Sequence, residues 1–272
     1  MQKFLVMALL LVTLLTLRVS EAAVQENRAY FPPVIMYHDI KLLPMNNFDV
    51  TLKDFRKQLK WLKTNGYKTL SMEEFVDIVV SGKSFPKDSV LITFDDGYSD
   101  SLVYALPELK SRDMKATFFI NPWYIGKKAK GYPYITEEEL KSLAAEPLIS
   151  IESHTTHHFH LDKLSPEKLA AELTESKTYI EELTGKSVRA VSYPFGDYNA
   201  DVIAATQAAG YEIVFAVQDR GLFKQPARFS IPRIYMGLAL CADNQALFKK
   251  YVRGYSKMPV EAFVERWQPL NK

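Results

Sequence analysis

The chain has 272 residues, 47% of them hydrophobic and 24% charged, with 34 Lys and Arg against 32 Asp and Glu for a formal net charge of +2. That balance excludes a disordered or collagen-like chain and, with one Cys, a disulfide scaffold. The near-neutral charge, without a long basic run, leaves no electrostatic footprint for nucleic acid, and the length suffices for one large α/β domain.

Residues 1–23 read MQKFLVMALLLVTLLTLRVSEAA, with Lys3 before an uncharged apolar run from Phe4 to Leu17, then Arg18 and small residues up to Ala23. This is the pattern of a secretory signal peptide. The run makes about 21 Å of helix, short of the roughly 30 Å of a bilayer core, so a retained signal anchor is the second reading. The expected organisation is a signal segment at 1–23 and one domain over 24–272. The expected location is periplasmic or extracellular, membrane-tethered if the leader is kept. Cys241 has no internal disulfide partner and reads as a packing residue.

From Pro33 onward short β-rich runs recur at 34–37, 89–94, 115–120, 148–153, 189–194, 211–217 and 230–236. Between them lie helical patterns. Over 51–65, Leu52, Phe55, Leu59 and Leu62 share one face and Gly66 follows as a stop. Ser71 with Glu74 and Thr136 with Glu139 fit capping boxes, and Ser165 precedes Pro166 at a first helical position. Strand and helix in alternation predict a parallel sheet with helices outside it, and seven or eight such units can close into a single-domain barrel. The tail from Asp243 to Lys272, with Trp267, reads as a helix packing on that barrel.

In barrels, reactive groups gather where strands end. The run VLITF ends in Asp95, Asp96 and Gly97, which alone is as readily a turn as a reactive pair. LISIES ends in His154, followed by His157, His158 and His160, so four of the five His fall within seven residues. Two imidazoles four apart, with a carboxylate from another strand, make a three-ligand Zn²⁺ site with a position left for water. His154 and His158 have that spacing, while His157 and His160 stand as competitors. His38 ends the run VIMY, so parallel strands would bring His38, Asp95, Asp96 and His154 to one rim. In YPFG, Pro194 and Gly196 bracket Phe195 in a turn that could aim its N–H at the site as an oxyanion donor. Arg233, in IPRI, could hold a carboxylate by a bidentate pair.

TFDDG at 93–97, SHTTHH at 153–158 and YPFG at 193–196, in that order, resemble the motifs of the polysaccharide deacetylases, the NodB homology family or carbohydrate esterase family 4. The resemblance spans residues 33–236. It implies a distorted (β/α)7-8 barrel, one divalent metal, commonly zinc, and removal of acetyl groups from an N-acetylated polysaccharide; no protein partner is inferred. By motif position it implies Asp95 as general base and Asp96, His154 and His158 as metal ligands.

Two departures from the family pattern matter. The family usually carries its catalytic His in a C-terminal motif, yet no His follows His160, which leaves His38 as the candidate acid. An N-terminal Tyr-His at a strand end is similar to the deacetylases that act on poly-β-1,6-N-acetylglucosamine; peptidoglycan or chitin oligomers are the alternative substrates, and a non-catalytic carbohydrate-binding relative the alternative class. The second departure is Ser192, where the family often has Arg. Arg233 or Arg189 could orient the base instead, and Arg233 is preferred for its place near a strand terminus. Trp123, Tyr124, Tyr132 and Tyr134, with Tyr193 of the third motif, are the candidate sugar-stacking residues.

Overall fold

Each of the seven β-rich runs forms a parallel strand, and the seven close on one another. The computed structural model describes residues 30–217, 227–237 and 245–255, so the signal segment, Cys241 and Trp267 lie outside the described residues. The chain opens with β1 (Val34–Tyr37), β2 (Asp39–Lys41), β3 (Asp49–Thr51), α1 (Leu52–Thr64), β4 (Lys68–Thr69) and α2 (Met72–Ser81). It continues with β5 (Ser89–Phe94), α3 (Asp100–Lys110), β6 (Ala116–Ile120), β7 (Lys128–Ala129), β8 (Tyr132–Pro133), α4 (Glu137–Ala144) and β9 (Ile149–Ser153). It ends with α5 (Pro166–Thr184), β10 (Ala190–Ser192), α6 (Ala200–Ala208), β11 (Ile213–Val217), β12 (Ile231–Tyr235) and α7 (Gln245–Tyr255).

Strands β1, β5, β6, β9, β10, β11 and β12 pair in chain order, and β1 pairs with both β5 and β12 to close the ring. The expected seven or eight units are therefore seven, with β4 added briefly beside the start of β5. The helices start where their caps predict. Thr51 accepts from the Asp54 N–H, Ser71 and Thr136 form complete capping boxes with Glu74 and Glu139, and Ser165 caps α5. In the tail, α7 buries Phe248 and Val252, with Phe248 edge-on to Trp61 of α1. No helix among the described residues is long and apolar enough to cross a membrane.

Alternation along the strands divides the core in two. Val90, Ile92 and Phe94 of β5 face outward to the helices, as do Phe118, Val191 and Val214. Val34, Leu91, Phe119, Ala190, Ile213, Phe215 and Ile231 fill the interior, where Phe31, Phe85 and Met72, Phe75, Val76 and Val79 of α2 join them. Each such buried side chain stabilises by about 1.5–3 kcal/mol over an exposed one. Continuing the period of two, Leu91 is followed inward by Thr93 and Asp95, and Ile231 by Arg233. The barrel is thus apolar where its strands begin and polar where they end.

The ladder is thinnest between β9 and β10, whose one register pair is Val191 with Ser153. Buried Glu152 splices the gap by accepting from the backbone N–H groups of Arg189 at 2.8 Å and Ala190 at 2.7 Å. Glu152→Ala should destabilise the fold by about 1–3 kcal/mol, because it leaves a buried N–H unmet. Glu152→Gln, which keeps an acceptor, should recover most of that loss in denaturant unfolding; equal losses in the two variants would contradict the splice.

Candidate active site

A cleft of about 710 Å³ opens where the strands end, lined among others by His38, Asp95, Asp96, His154, His158 and Phe195. All six follow barrel strands within a few residues, as expected for parallel strands that bring their ends to one rim.

Asp95 lies inside the barrel mouth, 2% exposed, and Arg233 is fully buried beside it. The guanidinium grips the carboxylate bidentately, Nη1 donating to Oδ1 at 2.7 Å and Nη2 to Oδ2 at 2.6 Å. Burial by itself would raise the Asp95 carboxyl, but the Arg233 charge and its hydrogen bonds outweigh it and hold the group well below the usual carboxylate range. Ser192 completes the group, its hydroxyl accepting from Arg233 Nη2 at 2.6 Å and donating to Asp95 Oδ2 at 3.4 Å. A small side chain at 192 is what leaves room for a guanidinium arriving from β12. Arg189, the other candidate, immediately precedes β10 and pairs with Glu212 and Asp77 at the opposite end of the strands.

Asp96 turns the other way because its backbone is left-handed, φ 72°. Its Oδ1 lies 3.5 Å from His154 Nε2 and 3.4 Å from His158 Nε2, and the three ligand atoms are all within 4.8 Å of one another. Donors about 2.0–2.1 Å from a tetrahedral ion sit about 3.3–3.4 Å apart, so this group has the spacing of a metal site before any ion enters. His154 is oriented for it: its Nδ1–H donates to the Ser192 carbonyl at 2.7 Å, which leaves Nε2 as the lone-pair nitrogen. Burial, with the His158 and Arg233 charges, pushes His154 down to about 4 against the pull of Asp95, so the imidazole is neutral at physiological pH.

The competing histidines are engaged elsewhere. His157 Nδ1 bonds to buried Glu172 at 2.6 Å, and His160 Nδ1 to Asp197 at 2.7 Å. His38 lies across the cleft, in contact with the rings of Phe48 and Tyr235 at 5.7 and 5.6 Å, with its buried Nδ1 unbonded. The residues after it are fixed by charge. Lys41 bridges Asp39 at 3.1 Å and Asp100, and lies over the Tyr132 ring at 4.6 Å. Burial raises Asp39 to about 7 against the pull of Lys41.

The aromatic wall differs in part from expectation. Tyr124 lines the cleft, stacked on Tyr134 at 4.7 Å, and Tyr132 lines it too. Trp123 instead borders a neighbouring depression of about 440 Å³, under the Lys127 ammonium. The reason is the one-turn 3-10 helix at Pro122–Tyr124, which aims successive side chains in different directions. Tyr193 borders the cleft as expected, but it is fully buried with its hydroxyl on Thr206, because Ser192 points inward and its neighbour must therefore point out. Phe48, Tyr98 and Tyr235 complete the wall. Nothing in the sequence marked them, since Phe48 and Tyr235 reach the cleft only through the β2–β3 loop and the end of β12. Removing the guanidinium would strand a buried carboxylate: Arg233→Ala should cost about 3–5 kcal/mol of stability. A thermal shift no larger than that of an exposed Arg→Ala control would show that the pair is not load-carrying.

The sequence model of the polysaccharide deacetylase family matches residues 82–214. YxkH of Bacillus subtilis (strain 168), a protein of the same family by name, is 35% identical over 202 residues, covering 74% of this chain and 70% of its own. The poly-beta-1,6-N-acetyl-D-glucosamine N-deacetylase of Staphylococcus aureus (strain MSSA476) is 32% identical over 202 residues, covering 70% of this chain and 68% of its own. Streptococcus pyogenes deacetylase PplD shares the fold with a TM-score of 0.69 at 24% identity, over 80% of this chain and 97% of that one. With its seven-stranded barrel and the Asp95, Asp96 and His154 group at the mouth, the chain belongs to the polysaccharide deacetylase family.

Proposed function

We propose that this deacetylase is metal-dependent, that it loads zinc on Asp96, His154 and His158, and that it removes N-acetyl groups from a poly-β-1,6-N-acetylglucosamine chain. The observation that carries the reading is the ligand spacing of 3.4–3.5 Å around Asp96 Oδ1, with the Asp95–Arg233 pair beside it. Two nitrogens and one carboxylate oxygen suit zinc. Such an ion supplies Lewis-acid polarisation of the acetamide carbonyl and acidifies water toward pH 7.

The chain's own residues do the rest. Asp95, kept as carboxylate by Arg233, accepts the proton of the attacking water. Charge gathering on the carbonyl oxygen meets the Phe195 N–H, held at the cleft by its turn. His38, protonated, donates to the sugar nitrogen as the C–N bond breaks, since an amide anion does not leave unassisted. Water's oxygen ends in acetate and the proton on a free amino sugar. Tyr124, Tyr132 and Tyr134 offer flat surface for sugar rings.

The substrate reading is supported by the 32% identical Staphylococcus aureus relative of that name and by His38 preceding the other motifs in the chain. The leader at 1–23 supports action outside the cytoplasm. A non-catalytic relative is disfavoured because the complete set of groups lines one cleft.

His38→Ala should slow acetate release about 10²- to 10⁴-fold with zinc content unchanged; zinc loss in that variant would make His38 a ligand and overturn its role. Asp96→Ala should lose both ion and activity, and retention of full zinc occupancy would reverse the two aspartates. Acetate release from β-1,6-linked oligomers should exceed that from β-1,4-linked ones and stop on chelation, and the reverse preference would assign the enzyme to peptidoglycan or chitin.

A further inference from the structure

The two imidazoles of the candidate metal group are held in unlike ways. His154 is fixed by a hydrogen bond to the Ser192 carbonyl. Among the described residues, none accepts a hydrogen bond from the His158 ring; apart from Asp96 Oδ1, 3.4 Å from its Nε2, it packs against aromatic rings, His154 at 4.9 Å and Phe195 at 4.6 Å, both edge-on. Phe195 is itself 52% exposed and has φ 61°, a conformation an aromatic residue does not hold unaided. His160 lies flat against it, ring centroids 3.9 Å apart and planes 12° apart, and Asp197 holds His160 in turn.

We propose that His160 and Asp197 are positioning residues: by clamping Phe195 they fix the His158 imidazole in its ligating orientation. The chain Asp197, His160, Phe195, His158 ties the loop after β9 to the turn after β10 and does for His158 what the Ser192 carbonyl does for His154. His160 and Asp197 are 52% and 45% exposed, so neither supports the core. The proposal rests on reading Asp96, His154 and His158 as the metal ligands.

The test is zinc affinity of the metal-free full-length protein, measured by competition with a chromophoric chelator, with the Co²⁺ absorption spectrum as a second readout. His160→Ala should bind about 10- to 100-fold more weakly, the range seen when a ligand's supporting contact is removed, with the unfolding temperature of the metal-free protein unchanged. His160→Tyr, which keeps a flat ring but has no imidazole nitrogen, should regain most of the affinity and the parent Co²⁺ spectrum. Phe195→Ala should fall as far as His160→Ala, and the double variant no further. Unchanged affinity in His160→Ala would overturn the proposal, as would a His160→Tyr variant as weak as the alanine. A parent that takes up two equivalents, reduced to one in His160→Ala, would also overturn it, because His160 would then be a ligand with Asp162 and Asp197. A parent that binds no zinc, or an Asp96→Ala variant that keeps it, would remove the metal-site reading itself; a parent that binds normally beside an unaffected His160→Ala removes the clamp alone.

Discussion

The contact on which the site depends is the ion pair of Asp95 and Arg233 in the barrel mouth. An isolated carboxylate there would take up a proton, and an isolated guanidinium has no means of shedding one; only as a bidentate pair do both persist charged in so dry a place. The pair also fixes geometry. Asp95 follows β5, Arg233 lies in β12 and Ser192 ends β10, so one cluster of hydrogen bonds ties three strands across the ring. Because side chains alternate along a strand, an inward Arg233 commits Ile231 to the interior and an inward Asp95 commits Leu91, which joins the charged layer to the apolar plug beneath it.

Against that rigid frame the loops are strained. Asp96, Thr155, His158 and Phe195 all have positive φ, and each sits at the candidate metal group or next to it. Such conformations cost about 1–3 kcal/mol apiece and persist where surrounding structure over-determines them. Here the restraints are visible. Asn121 donates to the carbonyls of His154 and Thr155, fixing the start of the histidine loop. Gly196, φ 77°, lies so close to β11 that a Cβ would come within 2.7 Å of the Val217 backbone nitrogen. The strain lets consecutive residues diverge, and it is why Asp95 faces Arg233 while Asp96 faces the histidines.

Much of this was legible in the chain. The seven β-rich runs are the seven barrel strands, because strands buried on both faces read as continuous apolar runs. The capped helices were legible too, since Ser71, Thr136 and Ser165 act within one turn. The short pairs β2–β3 and β7–β8 were not: at two or three residues each they have no periodicity to read, and α3 hides behind Pro107 in its interior.

The site divides along the same line. The sequence by itself determined which residues carry chemistry and that they end parallel strands, because both facts are written in neighbouring letters: DDG after VLITF, the histidines after LISIES, His38 after VIMY. Only the tertiary structure decided which groups meet. It chose Arg233 over Arg189, since residues 41 positions from Ser192 and 138 from Asp95 become neighbours only when the ring closes. It sent Trp123 to a neighbouring depression and brought Phe48, Tyr98 and Tyr235 to the cleft, because the direction of a side chain depends on backbone dihedrals and strand register that no local pattern encodes.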